Sequence, residues 1–206
     1  MLLSIYTLFF RSLKCPAGFA QNVAGKAFCL PCVPGTYQGY RGRKECKDCA
    51  AGQSSSSVSR TSLCDSCTQG RYQQKEGATD CLACAPGRYQ IDIGSISCAD
   101  CLKGRASSTI ARMEPCDDCQ KGYYQRDVKA TNCLACGPGQ YQSLDKQYNC
   151  VPCNAGMASN VVSRENDCDA CQSGNYQPNS GMTTCLKCIP GKFQNISGKE
   201  GAYFFF

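Results

Sequence analysis

The sequence has no histidine and no tryptophan. It also has no apolar run with a helical or strand period long enough to make one large core. Without histidine a Ser or Cys nucleophile lacks its usual base, and no carboxylate pair recurs in a fixed cleft-like setting. No Gly-rich phosphate loop, His-Arg-Asp or Asp-Phe-Gly is present, which excludes a kinase domain in this stretch. Catalytic, cofactor and metal residues are therefore expected to be none. Charge is thin as well: the net +6 comes from scattered bases. The densest group, Arg41, Arg43, Lys44 and Lys47, reads as an ordinary solvated loop rather than a nucleic-acid or heparin patch, because a basic footprint needs a continuous face.

The one apolar stretch, Met1 to Phe10, is too short to span a bilayer. Residues 1–11 resemble the apolar part of a signal peptide but lack a basic start and a clean cleavage site. They read either as a leader remnant or as a chance apolar start.

Cysteine is what the sequence has in excess: 21 of 206 residues, the density of a disulfide scaffold. A phrase such as Cys81-Leu82-Ala83-Cys84-Ala85-Pro86-Gly87-Arg88-Tyr89-Gln90 recurs along nearly the whole chain. After Cys15 the pairs are Cys29/Cys32, Cys46/Cys49, Cys64/Cys67, Cys81/Cys84, Cys98/Cys101, Cys116/Cys119, Cys133/Cys136, Cys150/Cys153, Cys168/Cys171 and Cys185/Cys188. First-cysteine spacings run 17, 18, 17 three times over, so a short unit is nested in a 52-residue super-repeat. About eleven units fill residues 12–201, the last incomplete, and 202–206 form an off-pattern tail. Glycine stands three residues after the second cysteine in every unit, from Gly18 to Gly191. A register kept that strictly implies a positive φ or a close backbone approach. Two unit types carry an aromatic two residues later (Tyr37, Tyr72, Tyr89, Tyr124, Tyr141, Tyr176, Phe193); the third is Ser-rich, as at Ser54 to Ser57. The aromatics are expected to pack over neighbouring disulfides.

Two cysteine connectivities compete. Bonding within each Cys-x-x-Cys gives strained, reducible bridges of the redox kind. Bonding the second cysteine of one pair to the first of the next closes loops of 13 or 14 residues. The chain ends favour the second. Cys15 has Ser12 where a pair-mate would stand, yet lies 14 positions before Cys29; Cys188 meets Ala202 where its partner is due. The expected bonds are Cys15–Cys29, Cys32–Cys46, Cys49–Cys64, Cys67–Cys81, Cys84–Cys98, Cys101–Cys116, Cys119–Cys133, Cys136–Cys150, Cys153–Cys168 and Cys171–Cys185, with Cys188 unpaired.

The phrase Cys-x-x-Cys-x-Pro-Gly-x-Tyr-Gln, with the next cysteine 14 positions on, resembles the ephrin-receptor-like cysteine-rich repeat, a relative of growth-factor-receptor and TNF-receptor modules. Cys32 to Cys46, Cys84 to Cys98 and Cys136 to Cys150 match it best, and the likeness runs over residues 15–198. It implies an extracellular or cell-surface spacer or binding segment, with structural rather than catalytic Cys, Gly and Tyr.

Zinc is the main rival, since Cys-x-x-Cys pairs 13 or 14 residues apart approach ribbon spacing. But zinc takes pairs two by two, while this chain counts in threes and leaves Cys15 idle. Thiol oxidoreductases carry one or two such motifs at a helix start, not ten.

The expected fold is therefore a series of small disulfide-rich repeats, stacked short hairpin and loop units in an elongated rod with little helix and no single large core. The expected role is a non-enzymatic extracellular array serving as spacer or adhesion module, with surface proteins or glycans as partners, no nucleic acid, and no membrane span within the chain. A receptor ectodomain piece is the alternative, and either way a fragment of a larger protein is expected. The Ser runs are candidate O-glycan carriers, and Asn195-Ile196-Ser197 is the only N-glycosylation sequon.

Overall fold

The computed structural model describes residues 14–23, 26 and 28–204; the segment 1–11 lies outside them, apart from any structural account. Two residues between two cysteines suffice for one rung of sheet, and that is what they form. In each repeat the two residues after the recurring glycine pair antiparallel with the two residues inside the next Cys-x-x-Cys. Thr36–Tyr37 pairs with Lys47–Asp48 in this way, and Arg71–Tyr72 with Leu82–Ala83. Eleven two-stranded hairpins result, and among the described residues there is no helix.

The hairpins fall into two compact units. The first takes the chain up to Cys84 together with Gln90–Cys98, and holds the hairpins from Phe19–Ala20/Leu30–Pro31 to Arg71–Tyr72/Leu82–Ala83. The second takes Ala85–Tyr89 and the chain from Ala99, with the hairpins from Arg88–Tyr89/Ala99–Asp100 to Lys192–Phe193/Tyr203–Phe204.

The strand inside each Cys-x-x-Cys decides the cross-linking. Successive side chains on a strand point to opposite faces, so residues three apart also face opposite ways. Cys46 therefore turns back to Cys32, and Cys49 turns forward to Cys64. The structure carries ten such bonds: Cys15–Cys29, Cys32–Cys46, Cys49–Cys64, Cys67–Cys81, Cys84–Cys98, Cys101–Cys116, Cys119–Cys133, Cys136–Cys150, Cys153–Cys168 and Cys171–Cys185. Cα separations run from 5.5 to 5.8 Å, inside the usual range. Half-cystines and a few alanines make up the apolar interior; Cys32, Cys49, Cys84, Cys101, Cys136 and Cys153 are wholly buried.

Glycine links each repeat to later ones. In the first unit Gly52 N donates to Gln73 O (2.7 Å) in the next repeat. Its missing Cβ admits the carbonyl of Gly94, one repeat further on, to within 2.8 Å of where a methyl carbon would stand. Gly94 N in turn donates to Cys67 O (2.7 Å). The second unit repeats the scheme. Gly87 N donates to Ser107 O (2.8 Å), Lys129 N donates to Cys101 O (2.8 Å), and the Lys129 carbonyl sits against Gly87. The residue that makes this approach has positive φ whether or not it is glycine: 69° at Gly94, 61° at Lys129 and 57° at Ser163.

The loops between strands are held by glutamine. Gln38 is 2% exposed. Its Nε2 donates to Glu45 O (2.8 Å) and its Oε1 accepts from Tyr40 N (3.1 Å), so one side chain clips both ends of the loop. Gln73, Gln125, Gln142, Gln177 and Gln194 repeat this clip and are buried too. These clip glutamines therefore line no outward face. Replacing Gln38 with Leu would strand a part-buried carbonyl and a part-buried N–H, each costing about 1–2 kcal/mol, the lower part of the range for an unsatisfied buried group. We expect Gln38→Leu to lower stability by about 2–4 kcal/mol in denaturant unfolding. Gln90→Leu, the same clip in a more exposed setting, should cost less than half as much. Equal losses would refute the clip's dependence on burial.

At the far end the strand outlasts the cysteine. Ala202 takes the half-cystine position, yet Lys192 and Phe193 still pair with Phe204 and Tyr203. The Lys192 ammonium lies 4.6 Å from the Phe204 ring centroid. The tail expected to leave the pattern at 202 thus keeps one more hairpin.

Candidate interaction surface

Many of the residues that recur at the 52-residue period are bound up in closing the loops. The Ser-rich repeats solve the loop problem without glutamine. Ser55 Oγ accepts from Ser57 N (3.2 Å) and from Arg60 Nη1 (3.3 Å). Arg60 then donates to the carbonyls of Ser62 and Leu63 and grips Asp65 with two hydrogen bonds, 2.9 and 2.7 Å. Arg112 with Ser107 and Asp117, and Arg164 with Ser159 and Asp169, repeat the arrangement. Three neutral or charged partners replace one amide because a serine side chain is too short to reach across the loop. The hydrogen bonds from Arg60, outweighing desolvation and joined by the attraction of its opposite charge, hold the Asp65 carboxyl below its ordinary value. Arg164 does the same for Asp169.

Ser55, Ser107 and Ser159 are buried, so the O-glycan expectation fails at those three serines; Ser56, Ser57 and Ser108 remain exposed. The seven recurring aromatics are half-buried in their strands. Three of them stand opposite a leucine on the paired strand: Tyr72 with Leu82, Tyr124 with Leu134 and Tyr176 with Leu186. Those leucines are exposed, as is Leu30.

Cys188 is a free, half-buried thiol. Asn195 is exposed, in the loop clipped by Gln194, whose Oε1 accepts from Ile196 N (3.0 Å) in the middle of the sequon. Among the described residues no group of side chains could hold a metal ion, and no helix is long and apolar enough to cross a membrane. Twenty of the twenty-one cysteine sulfurs are engaged with one another.

Arg41, Arg43, Lys44 and Lys47 are all exposed, on one loop and the strand that follows it. Arg43 stacks on Tyr40, 5.3 Å from the ring centroid. The only trace of the Arg60, Arg112 and Arg164 grips in the chain's pattern is their shared 52-residue spacing, which runs in step with Asp65, Asp117 and Asp169.

A family model described as tyrosine-protein kinase ephrin type A/B receptor-like matches the chain four times, over residues 18–63, 52–101, 104–143 and 159–201. No curated protein matches the chain.

Proposed function

The chain belongs to the ephrin-receptor-like cysteine-rich repeat family, and on that premise we propose that it serves as a structural spacer that also presents loops to proteins or glycans of the cell surface or matrix. The family is a receptor cysteine-rich module, a non-catalytic kind, and its disulfides place the chain outside the cell or on its surface. The observation that carries the reading is the division of labour among residues. Cysteine, glycine, glutamine and the Arg–Asp grips recur and are consumed in closing loops and joining repeats. Exposed loop residues change from one super-repeat to the next, as Lys44, Ile96 and Tyr148 do at one loop position. A scaffold kept constant while its surface varies suits spacing and recognition, not turnover.

Small-angle scattering of the oxidised chain tests the spacer. At strand-type rise each repeat advances about 10 Å, so a maximum dimension on the order of 100 Å is expected. A radius of gyration near the roughly 17 Å of a globule of this length would overturn it.

A further inference from the structure

The net charge of +6 is not spread along the chain. The first 61 residues hold eight bases and two acids, while the remainder holds fourteen of each. In the remainder, four of the six arginines pair with acids: Arg88 with Asp100, Arg105 with Asp118, Arg112 with Asp117 and Arg164 with Asp169. Arg41, Arg43, Lys44 and Lys47 pair with no acid among the described residues.

The fold adds a fifth base that sequence distance hides. Gly42 N donates to Cys15 O (2.8 Å), which seats the turn carrying Arg41 and Arg43 beside Lys14. The Lys14 stem lies along Gly42, its Cβ, Cγ and Cδ each 3.3 Å from where a methyl carbon would stand. Arg43, Lys44 and Lys47, with Glu45 as the one acid, bound a groove of about 590 Å³. A second hollow of about 450 Å³ shares Lys47 and adds Tyr40 and Leu63. Tyr40 is 64% exposed and offers a flat ring beside these cations.

The chain also provides its own control. The same loop positions in later super-repeats hold Ile93, Ser95, Ile96 and Ala99, then Asp145, Gln147, Tyr148 and Val151. Their hairpins form with the same pairing, so the loop does not need bases to fold.

We infer that Lys14, Arg41, Arg43, Lys44 and Lys47, with Tyr40, form a binding surface for a sulfated polysaccharide. Sulfate groups spaced along a sugar chain meet cations strung along a groove, and an exposed aromatic face stacks against a sugar ring. The polyanions available outside the cell favour this class over nucleic acid. The inference rests on the proposed function only for that location and specifies its glycan partner; the scattering test does not depend on it.

Heparin affinity of the full oxidised chain decides the matter. One variant takes residues the chain itself uses at these positions: Arg41→Ser, as at Ser197, with Arg43→Gln, Lys44→Tyr and Lys47→Val. A second removes four bases elsewhere: Lys75→Gln, Lys103→Gln, Lys121→Gln and Lys187→Gln. Four exposed charge contacts at about two- to threefold each predict that the first variant binds about 10- to 100-fold more weakly at physiological salt. The second variant should stay within about threefold of the parent. Intact mass, with ten disulfides kept, shows that each variant is folded. Equal losses in both variants would reduce the surface to net charge and overturn it. So would unchanged binding in the first, retention of affinity for desulfated heparin, or tighter binding to single-stranded DNA or anionic vesicles than to heparin.

Discussion

Reducing the ten disulfides is expected to unfold the chain completely. Each bond closes a loop of about 15 residues and contributes roughly 3 kcal/mol in the chain-entropy picture. Their sum, about 30 kcal/mol, exceeds the 5–15 kcal/mol by which ordinary domains are stable. No oily interior stands behind them: the fully buried side chains are half-cystines and glutamines. The hairpins cannot take over, because each has two residues per strand and a lone two-stranded ribbon is at best marginal in water. Amide exchange with and without reductant reads the effect. Oxidised protein should protect the glycine amides that bond between repeats, such as Gly52 and Gly87. Reduced and alkylated protein should protect none. Alkylation under denaturant should find one thiol, Cys188, before reduction and twenty-one after. A chelator alone should change nothing. Protection that survives reduction, or is lost to a chelator, would reject cross-linked loops as the source of structure.

Gly87→Ala should cost far more than Gly174→Ala, although the two glycines have nearly the same backbone. Their φ angles are 78° and 83°. An alanine in that region costs about 1–2 kcal/mol at either site. At Gly174 the new methyl meets nothing within 4 Å. At Gly87 it would stand 2.6 Å from the carbonyl carbon of Lys129 and 3.1 Å from its Cα, both backbone atoms that cannot swing aside. Forcing them apart adds about 1–3 kcal/mol. The total at Gly87 is then about 2–5 kcal/mol, and the Lys129 amide, bonded to Cys101 O, should exchange faster with it. Denaturant unfolding and amide exchange check both parts. Matching losses at the two sites would mean that the later repeat does not rest on the glycine at all.

Cysteine and glycine were legible in the sequence because each has one common use at such spacing. The strict third-position glycine pointed to a positive φ, and Gly18 to Gly191 show it. The second positive-φ position was harder to see, because Lys129, Lys146 and Ser163 adopt it beside Gly42, Gly77 and Gly94. Glutamine was visible as a recurring letter, but its use as a buried clip was not. A long polar side chain usually lies outside, and what draws Gln38 in is a pair of backbone groups two and seven residues on that no side-chain pattern records. The Arg60 grip escaped notice for a similar reason, since its first partners are carbonyls. Lys14 could not be grouped with Arg41 until the turn at Gly42 brought the two segments together.

Every covalent bridge spans only 14 or 15 positions, while the glycine contacts reach a residue about 42 positions further on. A polypeptide entering an oxidising compartment from its N-terminus can thus seal each ring almost as soon as it emerges, but seats that ring only after two more have followed. Maturation becomes a front trailing the exit channel by a fixed length, at a pace set by synthesis. A stalled or slow stretch of translation would leave at most the last two rings unseated.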